Sequence, residues 1–284
     1  MQVKIINSQK VLSPTQITLA DYVINPYRGC EFGCLYCYSQ ENKNIKKNDF
    51  FTLLGVKNNA PEVLEKELKY ARPKRVLLGS TTECFQYQEL KYRVVEKILK
   101  LLNSYKIPYT ILTKSHLIAE YLPLISENKK NKIYFTLNIA SDSLIKFFER
   151  KSPSIKQRID AIKKIISFEI PLRIHAGPFI PYLSSLKELL NILPQQIKEV
   201  DVELYHYKMG KFKDMLKAVE EALGKEIKNR IAAVYTNEKN YREFCKELRK
   251  EINKIKDKTN ISFYYIAPDF NTFYNSKIDY NAPL

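Results

Sequence analysis

Asn25-Pro26-Tyr27-Arg28-Gly29-Cys30-Glu31-Phe32-Gly33-Cys34-Leu35-Tyr36-Cys37-Tyr38 is the stretch on which the reading of this chain turns. It places thiols at Cys30, Cys34 and Cys37, a C-x3-C-x2-C spacing with an aromatic residue just before the last cysteine. Three thiolates leave a four-coordinate zinc one ligand short. They can hold three irons of a [4Fe–4S] cube, whose usual complement is four thiolates, and leave the fourth iron free to bind something else. Zinc stays open if a distant histidine completes the set, which would make the chain a basic nucleic-acid-binding module. Against that, zinc sites commonly pair their cysteines in two knuckles, and the sequence has no second one.

Composition bounds the rest. At 284 residues, 45% of them hydrophobic, the chain can fill the core of a barrel-sized domain, which argues against disorder. Five cysteines, three of them crowded, argue against a disulfide framework, and an exposed cluster needs a reducing compartment. No apolar run near Met1 reads as a signal peptide and no segment has the length of a membrane span, so a cytoplasmic protein without a membrane partner is expected. Lys and Arg number 47 against 31 Asp and Glu, a net charge of +16. Such a field favours polyanions, DNA or RNA among them. A Lys-, Ile- and Asn-rich composition accounts for the same excess, and the Lys-rich stretch 238–258 reads as a solvated helix face.

Apolar runs and helical spacings alternate along the chain. Strands are expected at 17–24, 75–78, 107–112, 133–137, 171–175, 200–205 and 261–266. Helices are expected at 61–70, around Val94, Val95, Ile98, Leu101 and Leu102, and at 116–126, 155–166, 186–193, 212–223 and 241–256. Six such strand–helix units imply an α/β fold with a parallel sheet, a partial (β/α)6 TIM-type barrel. No repeat or linker divides it, so 1–284 is expected to form one domain, with a core at about 15–225 and a C-terminal extension at about 226–284. The polar stretch 40–49 reads as a surface loop, and 276–284 as a loosely ordered tail.

The extended form of the opening stretch resembles the signature of radical S-adenosylmethionine (SAM) enzymes. It is similar to the branch that contains spore photoproduct lyase and its DNA repair photolyase-like relatives. The resemblance covers most of residues 15–185 and implies a [4Fe–4S] cluster on Cys30, Cys34 and Cys37, with SAM chelated at the open iron. It further implies reductive cleavage to a 5′-deoxyadenosyl radical, which takes a hydrogen atom from the substrate. An external electron donor, a ferredoxin or flavodoxin, follows, because no second cluster motif is present.

Other residues share the resemblance, and they fall where strands end, the place where barrel chemistry gathers. Ser80 and Glu83 match a Ser/Thr-rich loop ending in an acid, which would bond the SAM ammonium; the same residue types also serve as helix caps. Lys114, in a Thr-Lys-Ser element, would neutralise the methionine carboxylate or a substrate phosphate. Thr136 and Asn138 would contact the ribose, and Glu149 would join them unless it pairs with Arg158. Gly177 would allow close backbone approach near the adenine, against which Tyr36 would pack. Lone histidines at His116, His175 and His206 are too scattered to suggest a metal triad.

One departure bears on the substrate. In the lyase an additional cysteine lies two residues before the serine matched by Ser80; here that position is Leu78, which has no thiol hydrogen to donate. Cys84, four residues after Ser80, is the candidate hydrogen donor from the other side of the cavity, or else a structural cysteine. The fold and cofactors thus transfer better than the substrate. Nucleic-acid repair or modification leads, and modification of a peptide or small metabolite follows.

Overall fold

A computed structural model describes residues 1–41, 50–209, 211–271 and 283–284. The chain opens with β1 (Gln2–Ile6), β2 (Ser13–Pro14), β3 (Tyr22–Ile24), β4 (Tyr27–Arg28), β5 (Leu53–Lys57), α1 (Ala60–Leu68) and β6 (Val76–Leu78). There follow α2 (Glu89–Tyr92), α3 (Val94–Ser104), β7 (Tyr109–Thr113), α4 (Leu122–Ser126), β8 (Lys132–Thr136), α5 (Asp142–Phe148) and α6 (Ile155–Ser167). The last elements are β9 (Leu172–Phe179), α7 (Leu186–Ile192), β10 (Glu199–Leu204), α8 (Phe212–Val234), α9 (Glu238–Lys256) and β11 (Ser262–Ile266).

Seven strands, β3 and β6 to β11, run parallel in one sheet, with β2 added antiparallel beside β3. Every step from one parallel strand to the next passes through helix, so six strand–helix units are capped by a seventh strand. β2 and β11 are its two edges and are not paired to each other, which makes the barrel partial, as the strand rhythm predicts. β6 is buried along its whole length and β7, β8 and β9 almost so. Helices lie outside a sheet of this kind, which is why its strands read as continuous apolar runs. On α3, Val94, Val95, Ile98, Leu99 and Leu102 form the buried face that covers it.

The differences from expectation have local causes. The first strand shrinks to β3 because the chain turns at 15–21: Thr15 N–H bonds Asp21 O at 3.1 Å, and the Asp21 carboxylate accepts Lys74 N–H and Arg75 N–H, both at 2.9 Å. The expected helix 116–126 winds first as a 3-10 turn at His116–Tyr121 and becomes α4 with Pro123 in its first turn. α8 runs on past 223 but breaks at Gly224 (φ 86°, ψ 169°). α9 starts at Glu238 because Asn237 caps it, its side chain accepting from Asn240 N–H at 2.9 Å. β1, β5 and β4 form a separate three-stranded sheet that the sequence reading lacks. The expected surface loop at 40–49 begins in a 3-10 turn at Tyr38–Glu41, and the rest of it and most of the tail at 276–284 lie outside the described residues.

Candidate active site

The cysteine stretch leaves β3 at Ile24 and is laced to three segments of the fold. β4 pairs with β5, and Cys30 N–H bonds Phe50 O at 3.1 Å. Glu31 N–H bonds Gln86 Oε1 at 2.8 Å, while Glu31 Oε2 accepts Gln88 N–H at 3.1 Å. Leu35 N–H reaches Phe148 O at 2.8 Å, and Lys151 N–H reaches Phe32 O at 3.1 Å. Gly29 sits at φ +88°, where a Cβ would run into the Leu53 carbonyl, so the chain can pass so close to β5 only as glycine.

This lacing turns Cys30, Cys34 and Cys37 toward one cavity of about 300 Å³ at the ends of the strands. All three thiols are free. Burial raises each above its ordinary value, and Cys30 is pushed further by Cys34 and Cys37. The Cys34 thiol reaches about 12, although Lys114 works against the rise. Among the described residues, no group of His, Cys, Asp or Glu converges on a single metal ion. Three free thiols on one cavity wall would suit a polynuclear cluster, whose ligation would replace their protons.

Beside them lies the loop after β6. Asn25, at the head of the cysteine stretch, donates from Nδ2 to Ser80 Oγ at 3.2 Å and accepts Thr81 N–H at 3.0 Å. Tyr38 OH donates to the Ser80 carbonyl. Glu83 lines the cavity, its carboxylate accepting Thr113 Oγ1–H at 2.5 Å, Phe85 N–H at 3.0 Å and Lys114 N–H at 3.1 Å. Burial raises its pKa, those three hydrogen bonds opposing the rise. A carboxylate so held keeps acceptor capacity for a ligand ammonium. Cys84 is wholly buried behind Gly79 and is not among the residues that line the cavity, the placement of the structural alternative rather than of a donor facing the cavity.

Glu149 is likewise off the cavity. Its carboxylate is fully buried and meets Lys114 Nζ at 2.9 Å, Ser152 Oγ at 2.8 Å, Arg158 and the Tyr36 hydroxyl. Burial alone would raise its pKa; Arg158 and Lys114 outweigh burial and hold it well below the usual carboxylate range. The ion pair with Arg158, the alternative weighed from the sequence, is the observed arrangement. Lys114 Nζ also lies 2.8 Å from Tyr36 OH and 3.7 Å from Cys34 Sγ. Tyr36, Lys114, Thr136 and Gly177 all line the cavity. Asn138 does not; it is buried and donates to Pro178 O at 3.1 Å.

Residues 24–193 match the family model described as the Radical SAM superfamily. The chain belongs to this superfamily. Radical SAM enzymes use a [4Fe–4S] cluster and SAM, so this chain is an enzyme of that class. An uncharacterized protein of Methanocaldococcus jannaschii, MJ0683, is 29% identical over 186 residues, covering 65% of this chain and 70% of that one. Rv2578c of Mycobacterium tuberculosis, also uncharacterized, is 30% identical over 185 residues, 62% of this chain and 54% of that protein. Spore photoproduct lyase of Bacillus subtilis is 25% identical over 205 residues, 68% of this chain and 58% of the lyase. A solved spore photoproduct lyase shares the fold with a TM-score of 0.58 at 17% identity, over 78% of this chain and 66% of that one.

Beyond these shared features the radical SAM cavity has a floor that the sequence did not reveal. His175, Asp201 and Glu203 line it together. Burial alone would lower the His175 pKa; the Asp201 carboxylate and, more weakly, Glu203 outweigh it and raise the imidazole above its ordinary value. Asn25 and Tyr38, which hold the Ser80 loop, were visible only as parts of the cysteine motif.

Proposed function

We propose that this chain binds a [4Fe–4S] cluster through Cys30, Cys34 and Cys37 and abstracts a hydrogen atom from an organic substrate held in the cavity. When bound, the cluster supplies one electron, received from an external ferredoxin or flavodoxin, to cleave SAM into methionine and the 5′-deoxyadenosyl radical. The observation that carries the reading is the convergence of three free thiols with Ser80, Glu83, Lys114, Thr136 and Gly177 on one cavity. Ser80 and Glu83 accept the SAM ammonium, Lys114 faces its carboxylate, Thr136 its ribose, and Tyr36 and Gly177 its adenine. The largely apolar lining would limit water near the radical. Residues 1–284 act as one cytoplasmic catalytic unit; among the described residues no helix is long and apolar enough to cross a membrane.

Nucleic acid as substrate is supported by the net charge of +16 and by the likeness to a lyase solved with a dinucleoside spore photoproduct. A peptide or small metabolite is supported by the acidic cavity floor. The test of the radical reading is anaerobic reconstitution with iron and sulfide, then dithionite and SAM, with 5′-deoxyadenosine quantified. Product that disappears in Cys34→Ala is expected. Purified protein that takes up zinc and no iron would return the chain to the zinc-binding alternative.

A further inference from the structure

In the radical reading SAM and substrate fill the cavity, so an electron from outside has to cross a wall. One wall is a single ring thick. Phe32 is buried, lines the cavity with the three cysteines, and meets Tyr87 edge-on with ring centroids 5.9 Å apart. Tyr87 is 40% exposed and does not line the cavity. The Tyr87–Phe32 contact therefore joins the outer surface to the cysteine wall.

Around Tyr87 the surface is apolar at its centre and basic at its rim. Leu90, 42% exposed, and Lys91 follow Tyr87 by three and four residues, the spacing of one helical face, and Leu90 N–H bonds Tyr87 O at 3.2 Å. Tyr87 OH donates to the Lys151 carbonyl at 3.1 Å. Arg150 lies over Gly33, its Cβ 3.8 Å from the place a Cβ would take on that glycine. Lys91, Arg150 and Lys151 are all exposed, and among the described residues none of them pairs with a carboxylate. Lys91 Nζ rests 5.2 Å from the Tyr92 ring, which leaves its charge in place. Glu31, half-buried and accepting Gln88 N–H at 3.1 Å, offsets one of the three charges. The cations come from two segments about 60 residues apart in the chain, so packing gathers them, not a run of lysines.

From this we infer that Tyr87, Leu90, Lys91, Arg150 and Lys151 form the docking face for a small acidic electron-carrier protein. The inference deepens the radical reading and rests on it: the carrier loses one electron, the cluster behind Phe32 gains it, and no bond forms or breaks. A small apolar centre with a charged rim suits the brief, limited contact of redox partners. A nucleic acid would also meet the charge, but as substrate it has to bring its reacting group into the cavity, which none of the five residues lines.

The test mixes the reconstituted protein with a photoreduced acidic ferredoxin and follows the loss of cluster absorbance by stopped flow, with complex formation measured alongside by interferometry. Arg150→Glu with Lys151→Glu should slow reduction and weaken the complex about tenfold or more at low salt. The gap should close as salt rises to about 0.5 M. Dithionite, too small to need a docking face, should reduce both proteins alike. Lys239→Glu with Lys246→Glu makes the same change of net charge on α9, which packs on α8 and β11, and should keep most of the rate. Equal slowing by the α9 pair, an unchanged rate in the rim variant, or wild-type protein reduced by dithionite and not by ferredoxin would overturn the face. A DNA oligonucleotide that loses affinity in the rim variant while ferredoxin rates hold would hand the face to nucleic acid and overturn it too. Those failures occur with the cluster intact and leave the radical reading standing; protein that takes up no iron would end both.

Discussion

Replacing Glu149 by Gln removes the single anion of a buried network while leaving its shape. Arg158 is fully buried and Lys114 is 13% exposed, so both cations lose their counter-charge where water cannot replace it. Breaking a buried pair from one side costs about 3–5 kcal/mol. At a few degrees per kcal/mol for a chain of this size, that is a fall in Tm on the order of 10 °C. The pH dependence is set by the direction of the shift. A carboxyl held below its ordinary value contributes stability that is present above the unfolded pKa and is lost as pH falls through the folded one. The deficit of Glu149→Gln is therefore full at pH 7 and shrinks on acidification below about 4. Urea unfolding of wild type, Glu149→Gln, Arg158→Met and the double variant, at both pH values, measures this. The double variant should recover part of the loss, because it removes the uncompensated guanidinium. A single variant within about 1 kcal/mol of wild type, or a deficit that grows in acid, would refute the reasoning.

Two further outcomes follow from the loops. Gly29→Ala forces an L side chain to φ +88° against the Leu53 carbonyl and, at 3.0 Å, against the Phe50 carbonyl that accepts from Cys30. It should lower the iron-to-protein ratio after reconstitution and cost about 2 kcal/mol or more; full iron content would refute it. Cys84→Ala should lower stability by about 1–2 kcal/mol and leave 5′-deoxyadenosine yield and product distribution unchanged. An altered product distribution would restore the thiol to the chemistry.

The strands of the sheet were legible because burial on both faces writes an apolar run into each, from Val76-Leu77-Leu78 to Ile133-Tyr134-Phe135. The cysteine loop was legible because its chemistry fits in fourteen consecutive residues. What escaped depends on contacts distant in sequence. β5, Leu53-Leu54-Gly55-Val56-Lys57, is short and glycine-bearing, and only its pairing with β1 and β4 defines it. His175 looked solitary because its partner, Asp201, lies 26 residues away and is brought beside it by register alone. Glu149 showed both of its options in sequence, and only the burial of Arg158 decided between them. The distance of Cys84 from Ser80 along the chain says nothing of the side to which a loop residue turns, which only the packing behind Gly79 shows.

The lacing of the cysteine stretch also carries a schedule. Tyr36 and Glu149 are 113 residues apart in the chain, and Leu35 and Phe32 are bonded to that same later segment. During synthesis at roughly 5–20 residues per second, the three thiols emerge about 6–20 s before the part of the chain that will hold them. The nascent cysteines wait through that interval as an open, unshaped loop, exposed to oxidants and to stray metal ions. A cluster could be received in its final setting only after the chain through β8 and α5 has closed around the loop, which would make iron delivery a late event in the making of this protein.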